Sequence, residues 1–439
     1  MNTSGVKASA TAAGRETATH TRAEGSGTVP KVGVLGDGQL ARMMAPAAVE
    51  LGIELHLLAG SETASAAQVI PHTTIGDYRS PQDVLAFAEG LDAITFDHEH
   101  VPAEVLSVLA EAGITMNPTP EALIYAQDKL AMRRAVEDLG LPNPQWAQVH
   151  TPDDLISLGN SVGWPVVLKT PRGGYDGKGV MLIEDAAAAT GSDDVASWFQ
   201  RAKDAGTGLL AEQRVPCTRE LSAQVARRAS GSTAAYPVVE SNQTDGVCDE
   251  VIAPAPRTSP AHLAEAERIA TTIAEKLGVT GMLAVELFEV SETDTSTDMP
   301  AGLYVNELAM RPHNSGHWTI DGSVTSQFEQ HLRAVLNLPL GATSVAGGAG
   351  GYVVMKNLLG GVNQDLHSAV HAAMRRSGVS KIHLYGKEPK PGRKIGHVNI
   401  LSQTTNPHES FEATRSRLHR VRQTAAEVAQ ILTEGEEEE

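Results

Sequence analysis

Short apolar runs alternate with segments of helical spacing along the first quarter of the chain. The apolar runs lie at residues 31–36, 53–58 and 93–96, and the first of them ends in a glycine turn. Between them, apolar residues recur every three to four positions, for example at 84–88, which is typical of helices packed on one face. Alternating strands and helices predict a parallel sheet, so this part of the chain is expected to form an α/β unit.

The spacing of residues 121–139 predicts a helix that ends at Gly140. The pattern changes after this helix. Beyond it, short apolar strands and polar loops predict an antiparallel α+β region, and a last small unit follows the glycine-rich linker 346–351. The other predicted elements are strands at 164–169, 179–183, 209–213, 219–225, 282–290 and 302–308 and a helix at 261–277.

The 439 residues are enough for two or three domains, since one domain usually takes ~100–200 residues. The patterns divide the chain into a disordered extension, an α/β domain, a central domain with a flap subdomain, a C-terminal domain and an acidic tail. In that order, the boundaries are 1–30, 31–128, 129–340 with the flap at about 165–225, 345–430 and 431–439.

Charge and cysteine content narrow the function classes. The chain has 35 Lys and Arg against 53 Asp and Glu, a net charge of −18, and such a surface repels nucleic acids. Only Cys217 and Cys248 are present, too few for a disulfide framework. No apolar run approaches the ~20 residues that cross a bilayer. We therefore expect a cytoplasmic protein that binds neither nucleic acid nor membrane.

The first glycine turn, residues 36–41, fits the dinucleotide fingerprint G-x-G-x-x-G/A. Glu62 lies beyond the second strand, roughly where such sites place an acid on the ribose. One interpretation is an NAD-linked oxidoreductase. The other is a tight turn that only packs a helix against a strand.

A second glycine-rich segment, residues 173–179, leads from strand to strand and lacks the Ser or Thr of a Walker loop. Its four glycines let the backbone lie close to a phosphate chain, and Lys169 and Lys178 provide positive charge. The segment is interpreted as a phosphate-covering flap, with a merely flexible hairpin as the alternative.

Two acids, Glu286 and Glu307, stand inside apolar strands, and Asn306 precedes the second. A buried carboxylate needs compensation, and oxygen ligands suit Mg²⁺ that carries nucleotide phosphates. The alternative is that both side chains face solvent. No zinc helix is expected at residues 311–318, because Pro312 and Gly316 interrupt the spacing of its histidines.

The loop at 382–397 concentrates cations in an acidic chain. Lys387, Arg393 and Lys394 lie within eight residues of one another, next to turn glycines. This pattern favours a phosphate clamp, although a solvated charge run would look the same.

Taken in order, these motifs resemble the ATP-grasp superfamily and, within it, the N5-carboxyaminoimidazole ribonucleotide synthase family. The resemblance covers about residues 31–401, and its most specific parts are the runs at 313–318 and 383–387. It implies an ATP-grasp fold, with an N-terminal Rossmann-like (pre-ATP-grasp) domain and a small C-terminal β-rich domain.

The resemblance also implies roles for individual residues. ATP would be bound by Lys129, Lys169, Gly174, Tyr175, Asp176, Gly177, Lys178, Gly179, Val180, Glu212, Gln213, Arg214, Val215, Glu220, Gln243, Asn306 and Glu307. Glu286 and Glu307 would hold Mg²⁺. The 5-aminoimidazole ribonucleotide (AIR) would contact Gln39, Glu99, Lys387, Arg393 and Lys394, and bicarbonate would lie near Tyr175, Arg311, His313 and Asn314.

The implied reaction is the ATP- and bicarbonate-dependent carboxylation of AIR through carboxyphosphate, in purine biosynthesis, by a homodimer. Three positions depart from the family pattern, namely Asp37, Asp97 and Gln243. Other ATP-grasp ligases, such as formate-dependent glycinamide ribonucleotide transformylase or a biotin carboxylase relative, are alternatives. A nucleotide-sensing protein without activity is another.

Overall fold

The computed structural model describes residues 29–174, 179–291, 299–346, 350–402 and 409–435. The strands are β1 Lys31–Leu35, β2 Glu54–Ala59, β3 His72–Ile75, β4 Ala93–Phe96, β5 Trp146–Val149, β6 Val166–Lys169, β7 Val180–Ile183, β8 Leu209–Gln213, β9 Arg219–Arg227, β10 Thr233–Ala235, β11 Val239–Thr244, β12 Val247–Ala253, β13 Gly281–Val290, β14 Gly302–Ala309, β15 Tyr352–Leu359, β16 Ser380–Leu384 and β17 Lys394–Ser402. The helices are α1 Gln39–Leu51, α2 Pro81–Ala88, α3 Ala103–Glu111, α4 Pro120–Gln127, α5 Lys129–Asp138, α6 Pro152–Val162, α7 Ala186–Gly191, α8 Asp193–Asp204, α9 Pro260–Lys276, α10 Thr319–Gly322, α11 Gln327–Val335, α12 Leu366–Arg376 and α13 Phe411–Glu434.

The N-terminal sheet is parallel, as the alternating pattern predicts. Its strand order is β3-β2-β1-β4, with β1 in the middle between β2 and β4. The predictions of β1, β2 and β4 are confirmed. The edge strand β3 was not predicted, because its sequence is short and polar and most of its side chains are exposed.

The prediction of one helix over residues 121–139 is wrong. The chain breaks at Asp128 between α4 and α5. The Asp128 carboxylate accepts hydrogen bonds from the backbone N–H groups of Leu130 and Ala131, at 2.9 and 3.1 Å. It therefore caps a new helix, whose first residue is Lys129.

A small antiparallel sheet of order β5-β8-β6-β7 forms the flap subdomain. The predicted range of the flap is about 165–225. The sheet starts with β5, which pairs with β8, whereas β9 belongs to the large sheet. A four-residue strand such as β5 gives little sequence signal, and only its pairing with a distant strand stabilises it.

The large sheet has the order β14-β13-β9-β11-β12-β15-β17-β16, and β10 pairs with β9. The C-terminal strands thus extend the central sheet through the pairing of β12 with β15. Helices α12 and α13 pack against β15 and β17 in the C-terminal core. Helix α13 continues to Glu434, beyond the predicted start of the acidic tail at 431, and Leu432 is fully buried.

Helix α11 fastens the N-terminal unit to the large sheet. Phe328, Leu332 and Val335 pack into the core beneath the parallel sheet. The buried His331 lies 2.8 Å from Thr95 Oγ1 on β4 and accepts a hydrogen bond of 3.1 Å from the Met282 N–H on β13. His331 therefore links the N-terminal parallel sheet to the large sheet. None of the described helices is both long enough and apolar enough to span a bilayer.

We expect Leu332→Ala to destabilise the protein by about 2–5 kcal/mol, because it removes a fully buried side chain from the shared core. Chemical denaturation followed by circular dichroism measures the effect. Leu338→Ala is the matched control, since that leucine is 37% exposed. Equal effects of the two substitutions would contradict the shared core.

Candidate active site

Two carboxylates lie side by side where β13 pairs with β14. Glu286 is opposite Glu307 in the register, and a bulge follows at Asn306. The Asn306 amide lies 3.4 Å from Glu286 Oε2. Burial, with the charges of Glu307 and Glu220, raises the pKa of Glu286 to about 8. The predicted meeting of the two acids is found, and the raised pKa keeps Glu286 largely protonated at neutral pH.

Three cations, Lys129, Lys169 and Arg133, lie close to the two carboxylates. Lys129 Nζ lies 2.8 Å from Glu307 Oε1. Lys169 Nζ lies 2.7 Å from Glu212 Oε2 and 3.4 Å from Asn306 Oδ1. Burial alone would raise the pKa of Glu212, but Lys169 and Arg133 outweigh it and lower this pKa to about 2. Glu212 is thus held ionised, with a lysine on one side and an arginine on the other.

Arg133 also belongs to this site, although no sequence motif predicts it. Its side chain is fully buried, and its Nε donates to Glu212 Oε1 at 2.5 Å. Its Nη groups donate to the backbone carbonyls of Val305 and Asn306, at 2.6 and 3.1 Å. A charged residue on the buried face of α5, three residues from Leu130, was the available signal. Arg133 ties the end of β8 to the bulge of β14.

The other residues predicted to bind the nucleotide have different surroundings. Glu220 is hydrogen-bonded to Gln243, and burial raises the pKa of Glu220. Gly174 and Gly179 have φ angles of +85° and +75°, where a side chain would be strained. Val180 begins β7 and is 44% exposed. After Gln213, Arg214 is exposed and Val215 is half-buried. Tyr175, Asp176, Gly177 and Lys178 lie outside the described residues.

The Asp97 side chain fills the first glycine turn. The Gly38 N–H donates to Asp97 Oδ2, and a Cβ at Gly38 would lie 2.7 Å from the same oxygen. This amide at the start of α1 is the kind of donor that a dinucleotide phosphate needs. Glu62 is exposed. The turn therefore gives no support to the NAD-linked interpretation.

A second cluster joins the N-terminal unit to the C-terminal strands. Lys387 Nζ donates to Gln39 Oε1, and Arg311 Nε lies 2.8 Å from Glu99 Oε1. Burial raises the pKa of Asp97 to about 6, while Gly38, Arg311 and Lys387 act in the opposite direction. Three of the predicted substrate residues, Gln39, Glu99 and Lys387, are thus brought to one place.

Arg311 connects the two clusters. Burial alone would lower its pKa, but Glu99, Asp97 and Glu307 together hold the pKa of Arg311 above its ordinary value. Glu99 and Asp97 belong to the N-terminal unit, whereas Glu307 belongs to the large sheet. Arg311 therefore interacts electrostatically with acids of both the N-terminal unit and the large sheet.

The loop after Arg311 supplies neutral polar groups. Burial, with the charges of Arg311 and Lys394, lowers the pKa of His313 to about 3, so this imidazole is neutral. Its Nε2 lies 3.7 Å from Glu286 Oε1. Asn314 exchanges two amide hydrogen bonds with Asn357, at 3.0 and 2.7 Å. His313 therefore lies beside Glu286, and Asn314 is held by Asn357.

The predicted phosphate clamp is split. The charge of Lys394 lowers the pKa of Glu286, which places this lysine near the carboxylates. The exposed Arg393 donates at 3.4 Å to the backbone carbonyl of Glu388. Lys387 lies with Gln39 in the second cluster.

Comparison with known proteins identifies the family. The N5-carboxyaminoimidazole ribonucleotide synthase of Corynebacterium ammoniagenes is 48% identical over 391 residues, which cover 88% of this chain and 90% of that protein. The chain belongs to the N5-carboxyaminoimidazole ribonucleotide synthase family. The resemblance inferred from the motifs is thereby confirmed, and so is an ATP-grasp ligase as the class of enzyme.

Family models and solved structures of this synthase family agree with the architecture. Residues 29–127 match the ribonucleotide synthetase preATP-grasp domain, 134–328 the ATP-grasp domain and 353–410 the phosphoribosylaminoimidazole carboxylase C-terminal domain. The Thermus thermophilus synthetase is 36% identical, with a TM-score of 0.72 over 89% of this chain and 98% of that one. The Aspergillus clavatus synthase, in complex with ADP and AIR, is 29% identical, with a TM-score of 0.75 over 91% and 99%.

The raised pKa of Glu286 predicts how this synthase site affects stability. Between the ordinary glutamate pKa and about 8, the folded protein binds the proton that the unfolded chain releases, so the free energy of unfolding falls as the pH rises. We expect Glu286→Gln to stabilise the nucleotide-free protein by about 1 kcal/mol at pH ~8.5 and by less at pH ~6. The expected gain in stability is small because 26% of the Glu286 side chain is exposed, so that solvent screens its charge.

Thermal unfolding at the two pH values measures this effect. Glu307→Gln is the comparison, because it loses the ion pair with Lys129 and should not stabilise. A gain from Glu286→Gln that is the same at both pH values would contradict the assignment.

Proposed function

We propose that the chain carboxylates AIR at the expense of ATP and bicarbonate, giving N5-carboxyaminoimidazole ribonucleotide, ADP and phosphate. The observation that carries this proposal is the position of Arg311, between the acids of the N-terminal unit and those of the large sheet. A cation at that point can hold an anion that passes from the nucleotide to the amine. The Aspergillus clavatus relative in complex with ADP and AIR supports the same pair of ligands.

The nucleotide would lie between the flap sheet and the large sheet. Lys129 and Lys169 reach into this cleft from α5 and β6, where they would neutralise phosphate oxygens. Glu286 and Glu307 would hold Mg²⁺, because the register sets the two carboxylates side by side with the Asn306 amide next to them, and such oxygen ligands suit this ion. The bound metal would supply positive charge to the transferring phosphoryl group.

AIR would lie against the second cluster. Gln39 and Lys387 offer an amide and an ammonium group in contact with each other, and Glu99 is fixed by Arg311. An ammonium group suits the ribonucleotide phosphate. Lys394 would face the reacting groups from β17, and a phosphate contact by Arg393 stays a prediction.

The chemistry then follows from charge placement. A bicarbonate oxygen attacks the γ-phosphorus, ADP leaves, and carboxyphosphate breaks down to phosphate and CO₂. The AIR amine attacks CO₂ and loses a proton, which gives the N5-carbamate. Arg311 and the neutral His313 would border the carboxyphosphate, and the flap would exclude water from it. The homodimer and the cytoplasmic location stay predictions.

Phosphate release tests the proposal. With ATP, Mg²⁺ and bicarbonate present, we expect AIR to stimulate phosphate release, with N5-carboxyaminoimidazole ribonucleotide as product. Glycinamide ribonucleotide with formate replaces AIR in a parallel reaction and should not stimulate. Absence of stimulation by AIR, or stimulation by the formate mixture alone, would overturn the assignment.

Two substitutions separate the two clusters. Glu307→Ala removes a carboxylate from the cluster around Glu286 and should lower kcat at least ~100-fold at saturating AIR.

Lys387→Met should raise KM for AIR about 10- to 100-fold, with little change in KM for ATP. This factor corresponds to the free energy of one hydrogen bond to a charged group. Glu265→Gln is the control, because that acid pairs with Arg268 on the surface of α9. Equal changes of both KM values in Lys387→Met would contradict the separation.

A further inference from the structure

Three potential metal ligands meet on the N-terminal sheet, away from the catalytic clusters. Among the described residues, Glu54, His56 and His72 form a group whose ligand atoms all lie within 4.8 Å of one another. His56 Nε2 is 2.6 Å from Glu54 Oε1, and the two imidazole rings stack with centroids 4.9 Å apart. None of the three side chains has a part in the proposed reaction.

The sheet register places these side chains together. His56 of β2 is directly opposite His72 of β3 in the parallel pairing. Glu54 lies two residues before His56 on the same strand, so its side chain is on the same face. Since β3 is the edge strand, His72 is exposed and an ion can reach it from solvent.

We propose that Glu54, His56 and His72 bind a divalent transition metal, of which Zn²⁺ is the representative. Two imidazoles and a carboxylate favour such an ion over Mg²⁺ or Ca²⁺, which prefer oxygen ligands. Ligand atoms around tetrahedral zinc lie about 3.3 Å apart, as follows from bond lengths near ~2.0–2.1 Å. Small side-chain rotations at an exposed edge close the remaining gap.

The Glu54 carboxylate already has a cation beside it. Lys31 Nζ lies 3.2 Å from Glu54 Oε1, and 43% of its side chain is exposed. The lysine can turn into solvent when a metal takes its place. The net charge of −18 also attracts cations to the surface.

The metal would clamp the edge strand without entering the active site. Glu54 and His72 are the first residues of β2 and β3, whereas the glycine turn and Gln39 follow the carboxyl end of β1. In a parallel sheet, the amino ends of the strands and their carboxyl ends lie at opposite ends of the sheet. Zinc bound here therefore differs from zinc that replaces Mg²⁺ at Glu286 and Glu307.

Zinc titration of the untagged full chain, with Mg²⁺ in excess, tests the proposal. We expect one Zn²⁺ site, whose affinity falls at least ~10-fold in His56→Gln, His72→Gln and Glu54→Gln. The matched control is His367→Gln/His371→Gln on α12, where two exposed imidazoles with centroids 5.0 Å apart lack a third ligand among the described residues. It should leave the affinity unchanged.

Co²⁺ gives an independent measurement. Visible absorption of Co²⁺ with nitrogen ligands is expected in the wild type and should disappear in His72→Gln, while metal-free unfolding midpoints stay equal. Unchanged zinc affinity in His72→Gln, or loss of the site in the α12 double variant, would overturn the proposal. So would a Co²⁺ spectrum that His72→Gln does not alter.

Discussion

The register of β13 against β14 is the constraint on which the site depends. It sets Glu286 opposite Glu307, and such proximity of two carboxylates in a cleft costs free energy unless cations compensate it. Lys129 pairs with Glu307. Burial first, and then the charges of Glu307 and Glu220, raise the pKa of Glu286 to about 8, although Lys394 and Lys169 act in the opposite direction. In the proposed reaction, a bound cation would stabilise the ionised form of this pair.

The compensating cations are held by buried contacts rather than by surface pairs. Arg133, Glu212 and Lys169 form an ion cluster that joins α5, the flap sheet and the bulge of β14. Removing one partner of such a cluster typically costs about 3–5 kcal/mol, because the other charge is left buried. The end of β8 and the carboxylates thus keep a fixed relation. The net charge of −18 therefore says little about the cleft, where positive charge is concentrated locally.

Sequence patterns predicted the strands well where apolar residues are continuous, and less well where structure comes from distant partners. The division of residues 121–139 depends on one carboxylate, Asp128, that caps a helix. The flap begins at β5 only because β8 pairs with it. The sequence did not predict Arg133 as a site residue, because a single arginine in a helix does not reveal that its face of the helix is buried. The glycine turn fits a dinucleotide motif, yet Asp97, 59 positions from Gly38, fills it.

The sequence by itself determined the family, the order of the domains and the chemical types of the site residues. It did so because glycine turns, strand acids and the run at 313–318 are local and specific. Only the tertiary structure decided which charges meet. Lys387 reaches Gln39 across 348 positions of the chain, and Arg311 lies between acids of two sheets. Electrostatic interactions depend on distance and burial in space, and a linear sequence contains neither of them.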